Sequence, residues 1–105
     1  MSTLEPAIDT MIQATNRRDN KAFLSAFAED AVLTDFGRTF RGKAEIARWN
    51  DAENIGVQSI IRVTGVSRSG KKIKVAIVVS GNGYNGSGTF TFELVGSVIQ
   101  SLLIA

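Results

Sequence analysis

The chain has no histidine and no cysteine, a single proline, and one residue each of tryptophan and tyrosine. Without histidine, the usual general base at neutral pH and the commonest metal ligand are missing. Without cysteine there are no disulfides and no thiol chemistry, which fits a reducing compartment. No Ser-His or Cys-His nucleophile can be assembled, and a zinc site has no ordinary ligand set. Neither metal nor cofactor is expected. No apolar run approaches the length of a membrane span. The start, "MSTLEPAIDTMIQ", is acidic and periodic, unlike the basic-then-apolar start of a signal peptide. The expected location is cytoplasmic, with no membrane partner.

The charge is also sparse, at a formal +2. Most of the basic residues fall in three scattered groups: Arg17–Arg18, Arg38–Arg41–Lys43 and Lys71–Lys72–Lys74. A nucleic-acid surface would add exposed aromatics or a recognition motif, and neither is present, so no nucleic-acid partner is expected. At 105 residues, 44% of them hydrophobic, the chain reads as one domain over residues 1–105 that can close a single core.

"TLEPAIDTMIQATNRRD" carries Leu4, Ile8, Met11, Ile12 and Thr15 at helical spacing. Ser2 and Glu5 have capping-box spacing, and Pro6 suits a first turn. At "NRRDN" the pattern breaks, and Asp19 or Asn20 can cap a second helix, "KAFLSAF". "AVLTDFG" then alternates, with Leu33 and Asp35 on one side and Val32, Thr34 and Phe36 on the other. Gly37 permits a turn into "RTFR", and Gly42 opens a third helix, "KAEIARWNDAEN". From Val57 onward, four β-rich runs are separated by "RSGK", "GNGYNG" and "VGS", connections too short for parallel crossovers. Several of these runs are apolar on both faces, so both faces need cover. Three helices can cover one, and a second copy of the chain is the expected cover for the other.

This order, together with "FAEDAVLTDFGRTFRGKAEIARW", resembles the nuclear-transport-factor-2-like superfamily and its SnoaL-like and ketosteroid-isomerase-like branch. The features that carry the resemblance are Asn16 to Asp19, then Phe27-Ala28-Glu29-Asp30-Ala31, Asp35, and Gly42 with Ile46 and Trp49. The closing "FTFELVGSVIQSLLI" is similar to the family's final hairpin. The resemblance implies an α+β cone, in which a curved antiparallel or mixed sheet wraps around three N-terminal helices. It also implies an apolar pocket at the open end and a homodimer through the outer sheet face.

Within that family pattern, Asp35 falls where ketosteroid isomerases carry their proton-shuttling aspartate. The isomerase's oxyanion-hole tyrosine falls on Met11 and its protonated aspartate near Gly88, neither of which can donate the side-chain hydrogen bond. Ketosteroid isomerase activity proper is therefore not expected. Tyr84 is the one phenol available as a donor, in the glycine-rich "SGNGYNGSG". The expected catalytic pair is Asp35 and Tyr84, and the expected pocket wall is Met11, Thr15, Phe27, Phe40, Trp49, Phe90 and Phe92. The expected ligand is a hydrophobic or aromatic small molecule. The chemistry would be cofactor-free proton transfer of isomerase, cyclase or dehydratase type. The alternatives are a non-catalytic ligand-binding or dimeric accessory domain, or a protein-interaction module.

Overall fold

The computed structural model describes residues 4–105. Helix α1, Pro6–Asn16, starts with Pro6 in the first turn and Glu5 at its N-cap. Proline is well placed there because its missing N–H would have no helical partner. Glu5 itself stands at the cap and makes no side-chain capping bond, so it does not take the place inside the helix that the expected capping box gave it; Ser2 lies outside the described residues. Helix α2, Asn20–Ser25, is capped by Asp19, whose Oδ1 accepts the Ala22 N–H at 3.0 Å. It stops two residues short of the expected "KAFLSAF", because Phe27 already pairs with Ile99 in a sheet.

The strands are β1 Phe27–Asp35, β2 Arg38–Arg41, β3 Ile60–Ser69, β4 Lys72–Ser80, β5 Gly86–Val95 and β6 Val98–Ile104. Helix α3, Gly42–Glu53, follows β2, and a short 3-10 turn, Ile55–Val57, links it to β3. The β1–β2 hairpin is not a separate unit: all strands join one six-stranded sheet in the order β2-β1-β6-β5-β4-β3. Its one parallel pairing, β1 with β6, closes the long-range topology, and the rest is antiparallel. The three helices and this open mixed sheet form the expected α+β cone.

Packing follows the side-chain alternation. Ala31, Leu33 and Asp35 of β1 turn inward, as do Ile73, Val75 and Ile77 of β4 and Phe90 and Phe92 of β5. In β6, simple alternation would put Ile99 and Leu102 on opposite faces, yet both are buried. A register shift explains this: Glu93 pairs with Ser101 but Leu94 pairs with Ile99, so Gln100 is an extra residue in the ladder. Such a bulge resets which face the following side chains take. The core packs Phe23 against Phe27 and Trp49 and is completed by Ile8, Met11 and Ile46. Asn16 fastens α1 to the sheet edge: its amide accepts the Ile61 N–H at 2.7 Å and donates to the Ile61 carbonyl at 2.9 Å. The side chain thus takes the place of a neighbouring strand at a free edge.

Candidate functional site

A cavity of about 180 Å³ opens at one end of the cone. It lies where β1 and β6 end, β5 and β3 begin, and β4 ends. Its walls are mainly apolar, with Trp49, Ile61, Ile77, Val79, Phe90 and Ile104 prominent. The C-terminal end of α3 and the β4–β5 loop complete it. That loop comes close because of its glycines. A Cβ at Gly81 would lie 2.7 Å from the Gln58 carbonyl oxygen, and one at Gly83 would lie 2.8 Å from Val57 Cγ2. The glycine-rich run is therefore a tight packing device against the 3-10 turn.

Asp35 reaches the cavity through a two-residue hairpin turn. Phe36 and Gly37 both have positive φ, 48° and 88°, as a turn of this handedness needs. The hairpin sets Arg38 directly opposite Asp35 in the ladder. Their side chains meet, Arg38 donating from Nη2 to Asp35 Oδ2 at 2.8 Å. The indole N–H of Trp49 donates to the same oxygen at 2.9 Å. Arg38 also grips Glu53 with both terminal nitrogens at 2.6 Å. Its hydrogen bonds hold the Glu53 carboxyl below the usual value of 4.5, against the opposing effect of burial. The same pairing, Glu53 first and Asp35 after it, pushes the guanidinium up, so it stays charged.

Asp35 Oδ1 has a different environment. Among the described residues, every fully enclosed side-chain nitrogen and oxygen is hydrogen-bonded, and Oδ1 has no partner, both of the residue's bonds ending on Oδ2. Oδ1 is therefore reachable, although Asp35 is only 8% exposed, and the residue lines the cavity. A buried carboxylate held by two donors on one oxygen keeps the other free as a strong acceptor.

The sequence-predicted site residues divide into three groups. Asp35, Trp49, Tyr84 and Phe90 line the cavity together. Met11, Thr15, Phe27 and Phe92 are fully enclosed in the core behind it. Phe40 sits on β2, half-buried under the Arg38 guanidinium at 5.7 Å. Gly88, near which the resemblance placed the isomerase's second aspartate, is in the cavity wall, while Met11 is not. Tyr84 donates its hydroxyl to the Ser87 carbonyl at 2.6 Å, folding back over its own loop. Asn54 and Ser59 also line the cavity. They belong to "ENIGVQS", which reads as a helix stop and a loop, with no pattern that points inward. Among the described residues, no cluster of acidic side chains is arranged to hold a metal, and no helix is long and apolar enough to cross a membrane.

No family model matches the chain, and no curated protein matches it in sequence. Solved structures do. A candidate polyketide cyclase from Sinorhizobium meliloti superposes with a TM-score of 0.85 at 26% identity, over 97% of this chain and 95% of that one. A Mycobacterium tuberculosis protein in complex with estradiol-17β-hemisuccinate gives 0.80 at 16% identity, over 93% and 88%. The Δ5-3-ketosteroid isomerase of a Mycobacterium species gives 0.78 at 21% identity, over 94% and 88%. The fold is that of the nuclear-transport-factor-2-like superfamily, with a candidate polyketide cyclase and ketosteroid-isomerase-like proteins among its structural neighbours.

Proposed function

We propose that the cavity binds a small aromatic or apolar molecule through a hydroxyl or amine that donates to Asp35 Oδ1. One observation carries this reading: a buried carboxylate, fixed by Trp49 and Arg38 through one oxygen, offers its other oxygen to a mainly apolar space. Binding sites of this type combine apolar walls with a few placed polar groups. An enclosed cavity of about 150 Å³ takes a benzene-sized molecule, so the size here suits one ring or two fused rings better than a whole steroid.

The catalytic form of the proposal keeps Asp35 as the acid/base and Tyr84 as a donor in cofactor-free proton transfer. Proton abstraction next to a carbonyl needs donors aimed at the developing oxyanion. Tyr84 would have to release Ser87 to serve as one, so ligand binding without turnover is the better-supported form.

The same reading includes a homodimer through the outer sheet face, where Leu103 on β6 is 48% exposed and Ala76 and Val78, two strands away on β4, are half-buried. The neighbouring Thr89, Thr91 and Glu93 on β5 would make the contact partly polar.

Titration with phenol tests the binding claim. The protein has one tryptophan, so a single indole N–H resonance reports on the Asp35 contact. A saturable shift of that resonance is the expected outcome. An unmoved resonance at millimolar phenol would rule the reading out.

A further inference from the structure

The cavity has a second polar region that the family pattern does not mark. Asn54 and Ser59 are 4% and 3% exposed and both line the cavity. Asn54 is held rigidly from behind. Its amide nitrogen donates to Thr15 Oγ1 at 3.1 Å and to Asn50 Oδ1 at 2.9 Å. Thr15 passes its own proton to the Met11 carbonyl at 2.9 Å. Asn50 Oδ1 also accepts the Ile55 N–H, and its amide donates to Asn20 Oδ1. Both amide protons of Asn54 are thus used, and the network fixes which end of the side chain is oxygen.

Among the described residues, that oxygen, Asn54 Oδ1, has no hydrogen-bond partner, and neither has Ser59 Oγ. Since no fully enclosed polar side-chain atom is unpaired, both atoms are reachable, and on residues this buried they are reached from the cavity. The backbone keeps them together, the Ser59 N–H donating to the Asn54 carbonyl at 3.1 Å. Ser59 directly precedes β3, whereas Asp35 ends β1, and β6, β5 and β4 lie between those strands in the sheet. Along the cavity wall, Ser59 is thus set apart from Asp35 by the three strands whose Ile104, Phe90 and Ile77 also line it.

We propose that Asn54 Oδ1 and Ser59 Oγ form a second recognition point, so that the site selects ligands with two separated hydrogen-bond donors on one apolar body, such as dihydroxyarenes. The proposal rests on the reading of the cavity as a ligand site and specifies its substrate class. Three accepting oxygens, Asp35 Oδ1, Asn54 Oδ1 and Ser59 Oγ, face the cavity, and only the Ser59 hydroxyl among these groups can donate in return. A ligand with a single donor leaves one polar wall facing apolar surface, which costs affinity.

The test compares phenol with resorcinol, and 2-naphthol with 2,6-dihydroxynaphthalene, by calorimetry on wild type and on Ser59→Ala. Ser59 Oγ makes no hydrogen bond within the described residues, so its removal leaves the fold's bonding intact. At least one dihydroxy compound should bind roughly 5-fold or more tightly than its single-donor parent. Ser59→Ala should shrink that advantage about 3-fold while leaving the parent within about 2-fold. Equal affinities within both pairs, or an advantage that Ser59→Ala leaves unchanged, would overturn the proposal while phenol binding still supports the ligand site. Absence of all binding would overturn both.

Discussion

The indole N–H of Trp49 and Oδ2 of Asp35, fourteen positions apart in sequence, meet at 2.9 Å in the interior. This contact ties α3 to the end of β1 at the cavity wall and orients the carboxylate. Replacing Trp49 with Phe keeps most of the aromatic bulk but removes the donor. The expected loss is about 1–3 kcal/mol of stability, read from urea unfolding at neutral pH. A variant as stable as wild type would mean that Arg38 alone fixes Asp35.

Asn16 should matter more than its position at a helix end suggests. Its two bonds to Ile61 satisfy an edge-strand N–H and C=O. Asn16→Ala leaves both groups unmet by the chain and should cost about 1–3 kcal/mol. Hydrogen exchange at the Ile61 amide should accelerate ahead of the core amides of β5.

The pH dependence of stability should be one-sided. The Glu5 carboxyl is lowered by Arg68, the Asp19 carboxyl by the Ala22 N–H, and the Glu53 carboxyl by Arg38. A carboxyl held lower in the folded state gives stability that is complete above its unfolded value and lost as pH falls through the folded one. With usual values of 4.5 for Glu and 3.8 for Asp, the melting temperature should fall progressively below about pH 5. No histidine is present, so stability should stay nearly flat from about pH 6 to 9. Thermal unfolding followed from about pH 2 to pH 9 checks both statements.

Light scattering tests the proposed dimer. Twice the chain mass is expected for wild type, and the single-chain mass for Leu103→Glu, which replaces the exposed apolar side chain of β6 on the outer face with a charge. A monomeric wild type would leave that face solvated.

The helical spacing of Ile8, Met11 and Ile12, the glycine opening α3 and the alternation in β1 made the layered arrangement legible from sequence, because each is a local signal. Alternation alone put Leu33 and Asp35 on one face, where they are found. What sequence could not convey is non-local. The bulge at Gln100 moves Ile99 and Leu102 onto one face, and nothing in "VIQSLLI" marks it. Phe92 and Phe90 share a strand face, but only Phe90 borders the cavity, a difference of depth along the cone. Asn54 is held at the cavity wall by hydrogen bonds to Thr15 and Asn50, and Ser59 by its N–H to the Asn54 carbonyl, which no spacing rule reveals.

The central claim is that Asp35 Oδ1 receives a ligand's donor, and the most direct measurement compares phenol with anisole in wild type and in Asp35→Asn. Anisole keeps the ring and oxygen but has no proton to give. A hydrogen bond to a carboxylate contributes about 1.5–3 kcal/mol. Phenol should therefore bind wild type roughly 10-fold or more tightly than anisole. In Asp35→Asn that gap should narrow to about 3-fold or less. Equal binding of the two compounds to wild type, or a gap that survives Asp35→Asn unchanged, would contradict the account.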